Sequence, residues 1–218
     1  MAQLEWDKTG TRFYKTGVDK ATIAPIDAEG KYTKAVSWSG ISKVSESPSG
    51  GESTAVYADN IKYLSLQSSE DFGGTIEAYY YPDEFSECNG EKEAAKGVIV
   101  GQQARKPFAF TYQTRKGNDV DKQAHGYIIN IVYGAEAKPS SQESSTINEN
   151  PEASTMSWEF STTPVNVAGL KPTAILRIDS TKVDKTKLAT LESKLYGGEN
   201  SEASIPLPDE IINIFKAE

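Results

Sequence analysis

Lys34–Pro82 reads KAVSWSGISKVSESPSGGESTAVYADNIKYLSLQSSEDFGGTIEAYYYP. Two strand-like runs flank Pro48-Ser49-Gly50-Gly51. That tetrad suits a turn, because proline presets one backbone angle and glycine accepts left-handed ones. On the way in, Val36, Trp38 and Val44 share one parity while Ser37, Ser39, Lys43 and Ser45 share the other. This period of two marks a strand with one buried face. The return, Glu52 to Ala58, alternates less cleanly but carries Thr, Val and Tyr. The stretch predicts a long β-hairpin over residues 41–57 with its turn at 48–51. Its outer part is unusual, since no apolar side chain occurs from Ser45 to Thr54. Limbs of about seven residues reach roughly 23 Å at about 3.3 Å per residue. A two-stranded ribbon is marginal alone in water. Either the tip is a loose loop or another chain orders it.

Working outward, strand patterns recur. Arg12 to Ile26 is strand-like and stops at Pro25, and Ala28 to Lys31 reads as a turn. Ile61–Gln67 and Thr75–Tyr81 read as two strands joined by a turn at Ser68–Gly74. Pro82–Gly90 reads as a short helix, with Asp83 and Glu84 in the first turn, where the helix dipole favours anions. Glu91–Lys96 reads as a charged connection. Further strands are expected at Gly97–Gln102, Pro107–Thr114, Tyr127–Tyr133, Met156–Ser161 and Pro172–Asp179, with a turn at Lys116–Asp119. Tyr127–Tyr133 is almost continuously apolar, as in a central strand covered on both faces. Leu188, Leu191 and Leu195 form one helical stripe over 184–196, with Asp184 as N-cap, Val183 and Leu188 as a hydrophobic staple and Gly197 as the stop. Residues 1–12 read as a polar arm, 139–155 as an acidic, Ser-rich exposed loop, and 205–218 as a short helix or edge segment entered through Pro206 and Pro208. Hairpin-like spacing without strand–helix alternation makes this a single, mainly β domain: an antiparallel sandwich or barrel-like body with a helix against it.

The 218 residues carry a formal net charge of −8. That balance argues against a protein that grips nucleic acid through its phosphates, which needs a basic face. With Cys88 as the single cysteine, no internal disulfide or multi-cysteine metal cluster can form. No apolar run is long enough to span a bilayer, and Met1–Gly10 lacks the apolar segment of a signal peptide. A cytosolic origin is therefore expected.

Residues with catalytic potential do not combine. His125 is the only histidine, and no serine stands in a Gly-x-Ser-x-Gly elbow. One His and one Cys do not make a usual zinc site. Cys88, near the end of a short helix, reads as a buried structural thiol. The carboxylate groups Asp83/Glu84/Glu87, Glu143/Glu149/Glu152 and Asp119/Asp121 fall in turns, a helix start and the acidic loop, where charge is usually solvated. In Tyr79-Tyr80-Tyr81, strand geometry would send neighbouring rings to opposite sides, so no shared stacking platform is expected. The reading is of a chain with no catalytic residue, metal or cofactor.

Several collinear segments resemble the major tail protein, or tail tube protein, of long non-contractile-tailed phages and their prophages in Gram-positive bacteria. They are GVDKATIAPID (Gly17–Asp27), SGISKVSESPSGGESTAVYADNIKYLSL (Ser39–Leu66), YYYPDEFSECNG (Tyr79–Gly90), GQQARKPFAFTYQT (Gly101–Thr114), FSTTPV (Phe160–Val165), LYGG (Leu195–Gly198) and IPLPDE (Ile205–Glu210). The resemblance implies a β-sandwich of two roughly orthogonal sheets with a flanking helix and a long hairpin. It also implies a virion protein, assembled in the bacterial cytoplasm, that forms stacked six-fold rings around a lumen. Double-stranded DNA would be cargo only, and no membrane would be involved. The partners it implies are further copies of the chain, a tape measure protein, tail assembly chaperones and a tail terminator. Ile41, Val44, Ser47, Pro48, Ser49, Gly50, Gly51, Thr54 and Val56 on the hairpin would then meet the neighbouring subunit. The Tyr and Trp content leaves a β-sandwich ligand- or carbohydrate-binding module as the alternative.

Overall fold

The computed structural model describes residues 4–147, 153–198 and 201–216. Strands make up 46% and helices 11% of it, so the chain is mainly β, as expected from the hairpin spacing. The first limb holds β1 (Tyr14–Pro25), β2 (Val36–Ser37), β3 (Ile41–Glu46), β4 (Ser49–Gly50) and β5 (Ser53–Ala58). The chain returns through β6 (Ile61–Gln67), β7 (Glu70–Asp71) and β8 (Gly73–Ala78), then makes a single 3-10 turn at Asp83–Phe85. There follow β9 (Lys92–Ala95), β10 (Val98–Val100), β11 (Phe108–Asn118), β12 (Lys122–Ala137), β13 (Met156–Thr162) and β14 (Ile175–Asp179). Two helices close the chain, α1 (Lys185–Tyr196) and α2 (Pro208–Phe215).

Hydrogen bonding runs β2-β1-β11-β12-β13-β8-β3, all antiparallel, with β14 also on β12. The strand β12 makes this possible because it changes partner along its length. Ile128–Val132 pair with β14, whereas Ala135–Ala137 pair with β13. The break falls at Gly134, whose φ is +58°. A Cβ there would collide with the Thr163 carbonyl oxygen, so only glycine fits. The ladder therefore bends into two leaves. Trp38, directly after β2, meets Trp158 of β13 edge-to-face at 5.6 Å, although their strands are four places apart in the hydrogen-bonded order.

Between the leaves lies an aromatic core of Phe85, Phe108, Phe110, Trp158 and Phe160, with Ile23 and Ile76. On the other face of β1, β11, β12 and β14 lies a second core. There Ala109, Ile129, Ile131, Tyr133 and Ile178 pack under Leu188, Leu191 and Leu195 of α1 and Ile211 of α2. Alternation along β11 produces this double burial: Phe108, Phe110 and Tyr112 face inward, Ala109 and Thr111 face the helices, and all are buried. The helix stripe is as the sequence predicts. The Asp184 carboxylate caps α1 by accepting from the Thr186 and Lys187 amides at 2.9 and 3.0 Å. Burying each leucine contributes about 1.5–3 kcal/mol.

Several local expectations are corrected. Residues 68–74 are no turn but part of a long returning limb, and 91–96 is no mere connection, because Lys92–Ala95 pairs with Val98–Val100. The strand β8 stops at Ala78, so Tyr79–Tyr81 escape the alternation assumed for them. Tyr80 stacks on Tyr81 with ring planes 11° apart. The strand β11 runs on through Asn118, which moves the turn from 116–119 to the residues before Lys122. The described parts of the acidic loop, 139–147 and 153–155, are exposed and carry no regular structure. Glu149 and Glu152 lie outside the described residues. Ahead of β1 the arm is pinned by Asp119, whose carboxylate accepts from the Gly10 amide at 3.0 Å.

Candidate self-assembly surface

The stretch from Ile41 to Ala78 is one hairpin, longer than the sequence pattern suggests and turning elsewhere. The strand β3 pairs with β8, β4 with β7, and β5 with β6. The turn is Asp59-Asn60, with φ of +50° and +63°, flanked by the Ala58–Ile61 pair. Two consecutive left-handed residues make the tight turn whose twist matches that of antiparallel strands, and Asp and Asn tolerate that conformation best after glycine. The tetrad Pro48–Gly51 instead lies midway along the outgoing limb. Pro48 has no amide to donate, so the ladder skips it between Ser47, which donates to Gly73, and Ser49–Gly50. Gly50, at φ +79°, sits so close to the Ser69 carbonyl that a Cβ would overlap it. Here the glycine serves close approach of two strands rather than a reversal.

The outer half of this hairpin, from Gly51 to Ser68, contributes no residue to either core. It has two distinct faces. Thr54–Leu66 and Val56–Leu64 are cross-strand partners and form an apolar face, while Ser53, Ala55, Ser65 and Gln67 form the other. On the polar face the Ser53 and Ser65 hydroxyls lie 2.5 Å apart. Val56, Leu64 and Leu66 are 37%, 39% and 59% exposed, and Tyr57, Ile61 and Tyr63 near the tip are exposed as well. A contiguous apolar surface of this kind on a projecting element suits docking.

The predicted contact residues separate on this frame. Ile41 and Val44 belong to β3 and pack against the inner core, so they anchor the hairpin rather than extend from it. Ser47 and Pro48 mark its exit from the body, Ser49 and Gly50 form β4, and Gly51 leads into the ribbon. Thr54 and Val56 alone of the nine lie on the apolar face. Leu64 and Leu66 were missed because the limb holding them was assigned to a separate strand. Asp59-Asn60 between two β-rich runs was the signal that could have found them. A second exposed apolar hairpin, β9–β10 with Val98, Ile99 and Val100, was missed because its first limb, Lys92–Ala95, reads as a charged connection.

Several of the residues with catalytic potential have structural partners. His125 Nδ1 lies 3.3 Å from both Asp121 Oδ2 and Asn118 Nδ2, and its ring stands 5.3 Å from that of Phe13. These contacts help hold the arm to the β11–β12 turn. Cys88 is fully buried, and that burial, with the neighbouring Glu87 charge, pushes its thiol up to about 12. Hydrogen bonds from the Gly10 amide first, and from Arg12, hold the half-buried Asp119 carboxyl below its ordinary range. Asp83, Glu84 and Glu87 border an open recess of about 690 Å³ floored by Pro25, Ile26 and Ile99, and Glu87 pairs with Lys106 at 2.5 Å. Among the described residues no group of three or more His, Cys, Asp or Glu is placed to hold a metal ion, and no helix is long and apolar enough to cross a membrane. A scan against protein-family models finds no match to this chain, and a search of curated proteins finds none either.

Proposed function

We propose that this chain is a structural subunit that assembles with copies of itself into a tail tube of the kind built by long non-contractile-tailed phages. The observation that carries the reading is the ribbon from Gly51 to Ser68: it keeps an antiparallel ladder, with one register shift after Val56, and an apolar face, yet packs on neither core of its own chain. Such a face is costly to leave in water and gains about 25 cal/mol per Å² when covered. The collinear motifs give the assembly its identity. On this reading the product is a stack of rings, hexameric as in the family resembled, and each ribbon reaches a neighbouring subunit. DNA passes through the lumen as cargo, and the net charge of −8 limits its sticking to the wall. A tape measure protein, assembly chaperones and a tail terminator are the further partners, and the assembly has no enzymatic step.

Electron microscopy and light scattering of the purified chain test the proposal. Rings or tubes are expected at high protein concentration or when tail assembly partners are supplied. A chain that stays monomeric under both conditions overturns it. One observation favours a second reading, a carbohydrate-binding module. Tyr80 is 66% exposed and lies flat on Tyr81, a platform on which a sugar ring could stack. Glycan-array binding that is lost in Tyr80→Ala supports that reading, and an array with no bound glycan rejects it.

A further inference from the structure

Glu46 is the last β3 residue paired to the body, opposite Gly74, and only Ser47 separates it from Pro48, where the hairpin leaves. Its carboxylate leaves the strand sideways. Oε1 accepts from the Tyr112 hydroxyl at 2.6 Å, and Oε2 accepts from Arg177 Nη2. Tyr112 stands on β11 and is buried in the inner core, while Arg177 stands on β14. Neither strand forms a ladder with β3, whose one ladder partner is β8. The other edge of β3 faces β1 and β11 across an open recess of about 320 Å³ bordered by Val18, Val44, Tyr112 and Thr114. At this edge one carboxylate takes the place of a backbone ladder, tying the root of the hairpin to two strands with which it forms no ladder. Hydrogen bonds to an ionised group are shorter and about twice as strong as neutral ones.

We infer that Glu46 is a positioning residue that sets the direction in which the ribbon projects, through its bonds to Tyr112 and Arg177. From Glu46 outward the limbs stay paired, by Ser47 to Gly73, Gly51 to Ser69 and Ser68 to Glu52. The direction fixed at the root is therefore transmitted to the tip. The inference deepens the assembly reading, because a ribbon that must meet a neighbour gains from being held at one angle, its ordering cost having been met before contact.

Distance measurement between spin labels at Lys62→Cys on the ribbon and Ala189→Cys on α1 tests this in the free chain. Both positions are exposed, and the buried Cys88 stays unlabelled. The parent is expected to give one narrow distribution. Arg177→Ala, and Glu46→Met, which keeps the bulk but removes the acceptor oxygens, are expected to broaden it roughly twofold. Glu46→Gln, which keeps an oxygen for Tyr112, is expected to restore much of the narrow peak. Circular dichroism confirms that each variant is folded. If Glu46→Met does not fold, Arg177→Ala carries the test, since that side chain is half exposed. Unchanged widths in the folded variants, or a parent as broad as they are, overturn the inference. A narrow parent that never assembles, with the broadening still seen in Glu46→Met and Arg177→Ala, overturns only the tail tube reading.

Discussion

Val56 and Leu64 stand directly opposite each other on the ribbon, and both remain more than a third exposed. A cross-strand aliphatic pair normally gains by packing on a further layer, and none of the described residues supplies one. The pair therefore separates folding from assembly. Leu64→Ser combined with Leu66→Ser is expected to leave the melting temperature within about 3 °C, because surface changes away from the core alter stability little. The same double variant is expected to abolish ring or tube formation. Loss of the folded monomer, or normal assembly by electron microscopy, would contradict this.

Excising the hairpin beyond its root makes a stronger version of the same test. Ser47 donates to Gly73 at 2.8 Å, so the limbs are already within turn distance there. Replacing 48–72 by a two-residue Asn-Gly turn is expected to give a folded, strictly monomeric protein. Size-exclusion chromatography with light scattering, beside thermal melting, reads both outcomes.

Gly134 carries the bend of the sheet, and its conformation leaves no room for a side chain. Gly134→Ala combines a left-handed backbone with a collision against Thr163, and is expected to cost more than about 2 kcal/mol. Leu191→Ala, at the centre of the α1 stripe and fully buried, is expected to cost about 2–5 kcal/mol. Urea denaturation measures both. Similar losses in the two variants would show that the bend is as important to the fold as the helix packing.

Asp179 and Lys116 form a half-buried ion pair at 2.5 Å between β14 and β11. Burial raises the Asp179 pKa, but hydrogen bonds from Lys116 and Thr181 outweigh it, so the carboxyl lies below its ordinary value of 3.8. A depressed folded-state pKa contributes stability that is present above the unfolded value and lost as pH falls through the folded one. Lys116→Met is therefore expected to cost about 1 kcal/mol at neutral pH, with the difference from the parent shrinking below pH 3.8. Denaturation series at several pH values check this. A difference that stays constant with pH would mean the lysine acts through its stem alone.

Cys88 is buried with its thiol raised to about 12, chiefly by burial and then by Glu87. Thiolate is the reactive form. Labelling by a thiol-reactive disulfide is expected to be negligible in the native state and to follow the rate of global unfolding when denaturant is added. Rapid native labelling would show local opening around the Asp83–Phe85 turn.

Much of the body was legible because its signals are local. The α1 stripe with its Asp184 cap, the alternation of Phe108, Phe110 and Tyr112 against Ala109 and Thr111, and the doubly apolar Tyr127–Tyr133 each report their own burial. These segments fold as their patterns indicate. The hairpin was harder. Pro48-Ser49-Gly50-Gly51 is the stronger turn signature by residue type, but in the structure its glycine serves the close approach of Gly50 to Ser69. The reversal belongs to Asp59-Asn60, which has no glycine to advertise it. Tyr80 and Tyr81 stack because their strand ends at Ala78, a boundary that periodicity cannot place.

The amino-acid sequence by itself determined the class of the protein: mainly β, acidic, with one capped helix and a hairpin carrying a polar stretch from Ser45 to Thr54. These properties depend on residue type and short-range spacing. Tertiary structure alone decided which strand pairs with which, where β12 bends, and that Glu46 is joined to Tyr112 and Arg177. It also decided that Ile41–Ala78 is a single hairpin with its apolar face at Thr54, Val56, Leu64 and Leu66. Strand pairing joins residues far apart in the chain, and a limb's register is chosen by the face that its partner must bury. That partner is a distant segment within the body, and in the proposed assembly a second copy of the chain covers the ribbon.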